Sequence, residues 1–327
     1  MPSAINPSGQ LNFPATQQEI YETTFKTRFR DKSILPRITN RNYEGKFRKK
    51  GTTINVPILP IIETHKTKVG EKVKYQEPKG ASEKFTINRE RYFAFKLEDE
   101  DKIFSSMDLE SPLITEANRQ MAEDVENEFL ADIIYKVHPA NTGAEAGIRS
   151  GAYNLGTGLA PVRLWKTATA QGANDGQLAP DFIVACVNAL NEMPGGLDTK
   201  PFVIIPTAVA NILQTSELHR ADWMGDAQSV MRKSVQFLGE LNGATIIVDN
   251  QLPMWAKTAS AAAQFAIFFG DSSAIAFADE ARVKGKLESV EEWGEFHRSK
   301  MIYDWFVTYP ERIGAGFVTV AADPVAA

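Results

Sequence analysis

The 327-residue chain predicts an α+β fold with a long projecting hairpin. Three observations carry that prediction. Two strand-like runs, residues 52–62 and 84–97, flank a polar stretch of some twenty residues. An amphipathic helix of about seven turns follows over 111–137. Beyond residue 180, short helices and buried strands alternate between turn signals.

The hairpin comes first. Its outgoing run is Thr52-Thr53-Ile54-Asn55-Val56-Pro57-Ile58-Leu59-Pro60-Ile61-Ile62, where Pro57 and Pro60 cannot donate to a ladder. That run is therefore expected at an edge, or interrupted. The return run reaches from Lys84 to Leu97. Lys66, Lys68, Lys72, Lys74 and Lys79 between the two runs, with Lys84 opening the return run, face only four glutamates. Such a tip has few apolar groups with which to fold back on its own core, and an isolated two-stranded ribbon is marginal in water. The expected cover is another copy of the same chain. Arms of about 15 to 18 residues would carry the tip roughly 50 Å from its base.

For the helix, Ser111 suits the N-cap and Pro112 the first helical position. Ile114, Ala117, Met121, Val125, Phe129, Ile133 and Val137 then step by three or four. Pro139 and Gly143 end it, leaving a rod of about 40 Å. Its opposite face carries Glu116, Arg119, Glu123, Asp124, Glu126 and Asp132, expected to meet water or a partner.

Residues 141–177 read as loops or short hairpins anchored by Leu164 and Trp165. Asp181 is expected to cap a helix through Asn191, which Pro194-Gly195-Gly196 ends. A buried strand follows at 202–205, then Pro206 and a helix from Thr207 to about Thr215. Further strands are expected at 244–248, 265–269 and 315–320, the last returning to the sheet beside the long helix. The first fifty residues lack clean periodicity apart from one short helix over 19–30, and read as an extended arm.

Composition excludes several classes. With 43% hydrophobic and 24% charged residues a sizeable core is available. The single cysteine, Cys186, rules out an internal disulfide framework, points to a reducing compartment and reads as a small buried hydrophobe. No apolar run approaches bilayer length, and the start of the chain resembles no secretory leader. Charge is segregated: residues 26–50 hold ten Lys or Arg against Asp31 and Glu44, while residues 98–132 hold twelve acids against Lys102 and Arg119. A basic arm and an acidic middle can attract one another between copies. The arm could also touch nucleic-acid phosphates, without the interleaved aromatics of a sequence-reading module.

Catalytic signatures are missing: no phosphate-binding Gly-rich loop, no nucleophile elbow, no zinc-protease motif. Gly156-Thr157-Gly158 runs into Leu159-Ala160-Pro161, which breaks a dinucleotide fingerprint. His65, His138, His219 and His297 are too scattered for a metal cluster. Glu98-Asp99-Glu100-Asp101 lacks the spacing of a calcium loop, and Glu291, Glu292 and Glu295 read as surface. No catalytic residue, cofactor or metal site is assigned, and the chain is not expected to be an enzyme.

Taken in order, these elements resemble the major capsid proteins of tailed bacteriophages with the Hong Kong 97 fold. The residues carrying the likeness are 51–57 leading into the ribbon, 69–76 at its tip, and 85–95 on its return, running into Leu97-Glu98-Asp99-Glu100-Asp101. Later come the strand-proline unit at 200–206 and the segment 239–250. The resemblance implies an N-terminal arm (1–50), an extended β-hairpin loop (51–105) and a peripheral domain with its spine helix (106–180). An axial domain (181–298) and a return to the peripheral domain (299–327) would complete it.

It implies a structural protein assembling into pentamers and hexamers of an icosahedral shell around packaged double-stranded DNA. The shell would be built in the host cytoplasm, located in the virion, with no membrane. Portal and scaffold or decoration proteins are the implied partners, with non-specific DNA contact. Some relatives join a loop lysine to a neighbour's asparagine with a glutamate's help, but no asparagine and glutamate here match that pattern. Contacts between copies are expected at Lys66, Lys68, Lys72, Lys74 and Lys79 of the tip and at Arg28, Arg30, Arg37 and Arg41 of the arm. Glu123 and Asp124 are the expected acceptors. The rival readings are a cellular nanocompartment shell of the same fold and an oligomeric enzyme with a dimerisation ribbon.

Overall fold

The computed structural model describes residues 33–43, 53–58, 62, 64–66, 75–77, 81–97, 110–165, 176–194, 197, 199–215, 237–255, 263–288 and 295–320. The expected helix over 19–30 and most of the ribbon tip lie outside the described residues.

The largest sheet runs in the order β5 (Gly176–Leu178), β4 (Val162–Trp165), β13 (Ile313–Val320), β10 (Gln264–Gly270), β6 (Phe202–Ile205), β8 (Ala244–Val248), β7 (Phe237–Leu241). A short β9 (Met254–Trp255) pairs with the end of β10 not used by β6. The strands buried on both faces are apolar throughout, as sheets covered on two sides must be. Alternate residues separate cleanly. Phe202, Ile204, Ile247, Ala266 and Phe268 enter one core, Val203, Ile205, Ile246, Ile267 and Phe269 the other.

Against the first face lies the long helix α2 (Glu110–Ile133), through Met121, Val125, Phe129, Leu130 and Ile133. These are the residues of the predicted stripe and its flank. The helix starts one residue before Ser111 and tightens into a 3₁₀ turn at Ile134–Lys136, so Val137 falls beyond it. Short α1 (Leu35–Ile38) buries Leu35 and Ile38 in the same core. On the other face sit α3 (Ala179–Asn191) and α4 (Thr207–Thr215). Cys186 is fully buried there, and burial pushes its thiol well up. Asp181 lies in the first turn of α3, with Leu178 at the cap position.

A second sheet was not anticipated: β11 (Ile275–Glu288), β12 (Glu295–Val307) and β3 (Arg89–Leu97), all antiparallel. Along β12 the chain alternates, with Met301, Tyr303 and Trp305 facing the helix-side core and Ile302 and Phe306 facing the ribbon.

β1 (Thr53–Ile58) and β2 (Ala81–Thr86) pair from Thr53↔Thr86 to Ile58↔Ala81, and β1 is an edge, as Pro57 requires. The return run over 84–97 is not one strand. It breaks at Ile87 and Asn88, where the Asn88 N–H donates to Asp304 at 3.1 Å, and resumes as β3 on a different partner, β12.

The expected bounds at 180/181 and 298/299 fall inside α3 and β12 respectively. The last strand, β13, lies at the centre of the large sheet, between β4 and β10.

Candidate assembly surface

The base of the ribbon is bound to its own chain in two ways. Phe85 is 2% exposed, stacks on Phe306 at 5.4 Å between ring centres, and meets Tyr43 edge-on at 6.3 Å. Val56 and Ile87 complete this small core with Ala278. Thr53 and Thr86 link hydroxyls at 3.1 Å across the ladder.

The second anchorage is ionic. Residues two apart on a strand share a face, and Arg89 and Arg91 both reach the long helix. There Asp124, Glu128 and Asp132 line up at helical spacing. Arg91 spans Asp124 and Glu128, each at 3.1 Å, and its Nε donates to the Tyr303 hydroxyl. Arg89 pairs with Glu128, with Asp132 at 3.2 Å and with Asp304 at 3.5 Å. The Tyr303 hydroxyl donates to Glu128 at 2.5 Å. Burial works against charge on Glu128, but hydrogen bonds from Tyr303, Arg89 and Arg91 outweigh it and hold the carboxyl below its usual range. The same burial opposes Arg89, where Glu128, Asp132 and Asp304 prevail and raise it.

The N-terminal segment is tied down beside this cluster. Asn40 bridges the start of β11, its N–H donating to the Ile275 carbonyl at 2.8 Å and its carbonyl accepting from Phe277 at 2.9 Å. Arg41 pairs with Asp279 at 3.4 Å, its guanidinium 6.0 Å from the Phe277 ring centre.

Between β1 and β2, the described residues Ile62, Thr64, His65, Lys66, Tyr75, Gln76 and Glu77 are all exposed, and Tyr75 is 94% so. On the outer face of β3, Tyr92 is 75% exposed beside the Glu90–Lys300 ion pair.

Solved structures match this arrangement over nearly its whole length. A structure of Mycobacterium phage Che8 aligns with a TM-score of 0.63 at 17% identity, covering 94% of this chain and 98% of that one. The capsid of cyanophage P-SCSP1u gives 0.63 at 14% identity, over 93% and 92%. The mature capsid of bacteriophage PhiM1 gives 0.61 at 14%, over 98% and 95%. The fold is that of tailed-phage major capsid proteins. No family model and no curated protein matches the sequence.

Within the capsid fold the expected contact residues divide. Lys66 and Arg37 are exposed, whereas Lys68, Lys72, Lys74, Lys79, Arg28 and Arg30 lie outside the described residues. Arg41 engages Asp279 of its own chain. Glu123 accepts from the Gln251 amide at 3.1 Å, and Asp124 is held by Arg91 and by Gln120 at 2.9 Å. The helix face expected to meet water or a partner is thus largely turned onto the chain itself. Glu126 is 3% exposed, and Asp132 serves Arg89, Lys136 and Trp305.

The Arg89–Arg91 cluster was missed, though two arginines at strand spacing and three acids at helix spacing were a readable signal. Among the described residues no group of three or more His, Cys, Asp or Glu is placed to hold a metal. No described helix is long and apolar enough to cross a membrane.

Proposed function

We propose that this chain is the major capsid protein of a tailed bacteriophage, building the pentamers and hexamers of an icosahedral shell around packaged double-stranded DNA. The observation that carries the reading is the match of the fold to phage capsid structures across both chains' lengths. The ribbon agrees with it: its base is fixed within the subunit, while the described residues between its strands are exposed.

In this reading the role is structural and the location is the virion. Lys66, Lys68, Lys72, Lys74 and Lys79 meet an adjacent subunit, and Arg28, Arg30 and Arg37 a second one. Glu123 and Asp124 receive a neighbour's lysine only by adding a partner to the one each already has. Exposed ion pairs are worth less than about 1 kcal/mol apiece, so adhesion comes from repetition and buried apolar area, with charge setting register. Portal and scaffold or decoration proteins complete the particle.

Electron microscopy of the purified full chain tests the proposal. Closed shells or ring-shaped capsomers support it; a discrete dimer or a monomer at assembly concentrations overturns it. Shells recovered with enzyme cargo in place of DNA would move the reading to a nanocompartment.

A further inference from the structure

One acid of the long helix stands apart from the Arg89–Arg91 cluster. Glu126 is 3% exposed, and Asp249, in the turn after β8, is 4% exposed. Burial and the charge of Asp249 act together on Glu126 and push its carboxyl up. Glu126 Oε1 accepts the Ile34 N–H at 3.1 Å. Asp249 Oδ1 accepts the Gln251 N–H at 2.9 Å, and the Gln251 side chain donates to Glu123 at 3.1 Å. Three separate pieces of chain therefore meet at one carboxyl pair: the N-terminal segment, the long helix and the turn after β8.

An ionised carboxylate only accepts hydrogen bonds. Two buried carboxyl groups set near each other can therefore bond only by sharing a proton. Immediately downstream of Ser33, the side chains of Ile34, Leu35 and Ile38 enter the same core as Val125 and Phe129. Whatever holds the Ile34 amide therefore holds the entry of the chain into that core.

We propose that the Glu126–Asp249 pair is a proton-dependent latch. Carrying one proton, it fastens residues 33–38 to the long helix; losing the proton, it sets two like charges side by side in a buried site and releases the segment. The ionisable neighbours act consistently with this. Burial pushes Glu126 up first, the charge of Asp249 adds to it, and the carboxyl reaches about 8. Glu123, one turn back, belongs to the same hydrogen-bond chain through Gln251. Because the folded site holds its proton more tightly than an open one, opening releases a proton. Opening is therefore favoured as pH rises from about 4.5 towards about 8, and levels off above. The segment so controlled lies within the basic stretch 26–50. The latch does not depend on the shell reading and is tested on the dispersed chain.

The experiment is hydrogen exchange of the full chain, read by mass spectrometry on peptides covering residues 33–38 and corrected for intrinsic exchange rates. Protection of these peptides is expected to fall by up to about tenfold per pH unit between roughly pH 6 and 8, while peptides from β10 stay level. Glu126→Gln keeps an acceptor for Ile34 and gains a donor towards Asp249, so its protection is expected to be flat across that range. A flat wild type, or a Glu126→Gln chain with the wild-type slope, overturns the latch. Should the variant fail to fold by circular dichroism, infrared spectroscopy of the wild type decides. A protonated-carboxyl band near pH 6 that fades above about pH 8 supports the proposal, and its absence near pH 6 overturns it.

Discussion

Arg89 holds its guanidinium carbon 3.9 Å from the centre of the Trp305 ring, while the indole N–H of that tryptophan donates to Asp132 at 2.7 Å. Trp305 thus sits between a cation from β3 and an anion from the long helix, with Phe129 edge-on at 5.4 Å. The strand that leaves the ribbon is fixed at its first residue to both the second sheet and the helix.

Replacing Arg89 tests that linkage. Arg89→Ala is expected to lower stability by about 1–2 kcal/mol, since it removes a partly buried cation–π contact and the shared ion pairs. Arg89→Lys should recover less than half of the loss, because an ammonium cannot span Glu128, Asp132 and Asp304 at once. Urea unfolding followed by tryptophan fluorescence measures both. A variant as stable as the parent would show that the cluster is incidental.

Glu128 sets the acid side of the stability curve. Its folded pKa lies below the ordinary 4.5, so it contributes stability that is present above 4.5 and lost as pH falls through the folded value. Glu126 has the opposite sign, raised in the folded state and costing stability as pH rises from about 4.5 to about 8. Melting temperature against pH should therefore lose part of its acid limb in Glu128→Gln and part of its alkaline decline in Glu126→Gln. Each change should leave the other limb in place.

Gly143 and Gly156 face each other in an isolated bridge, and both take positive φ, +92° and +71°. Their surroundings differ. A Cβ on Gly156 would lie 2.4 Å from the Phe317 carbonyl oxygen and 2.9 Å from the Val162 nitrogen, whereas a Cβ on Gly143 meets nothing within 4 Å. Gly143→Ala should cost about 1 kcal/mol, the left-handed backbone strain alone. Gly156→Ala adds an overlap with backbone and should cost at least about twice that. Thermal denaturation of the two variants side by side gives the comparison.

Much of the framework was legible because its causes are local. Ile114 to Ile133 repeats at helical spacing, and the helix is there. Phe202–Ile205 and Ala244–Val248 are short, apolar and bounded by Pro, Gly or Asn, and they are buried strands. The break at Ile87 and Asn88 was not legible, because no Pro or Gly interrupts the run from Phe85 to Leu97. Its cause is a partner more than two hundred residues away, Asp304. β11 and β12 escaped notice because charged residues interrupt their apolar positions. The apolar run from Met301 to Val307, broken only by Asp304, is nevertheless a strand signal in the sequence. Glu126 was read on the face opposite the apolar stripe, yet it lies three and four residues before the buried Phe129 and Leu130, and its carboxyl meets the Ile34 N–H.

The ribbon tip supplies the remaining prediction. Lys72 and Lys74 lie in residues 63–83, which hold five lysines and four glutamates, so in the proposed shell a neighbour would meet net positive charge there. Reversing both to glutamate changes the tip by four units of charge. Each subunit of a shell repeats that change, so a cost well under about 1 kcal/mol per pair is multiplied across the particle. The double variant should stay soluble and helical by circular dichroism yet form several-fold fewer shells in electron micrographs. Wild-type assembly should in turn weaken as salt shortens the screening length to a few ångströms. Normal shells from the double variant, with salt-independent assembly of the parent, would remove the tip lysines from the contact and leave the apolar faces of the ribbon to make it.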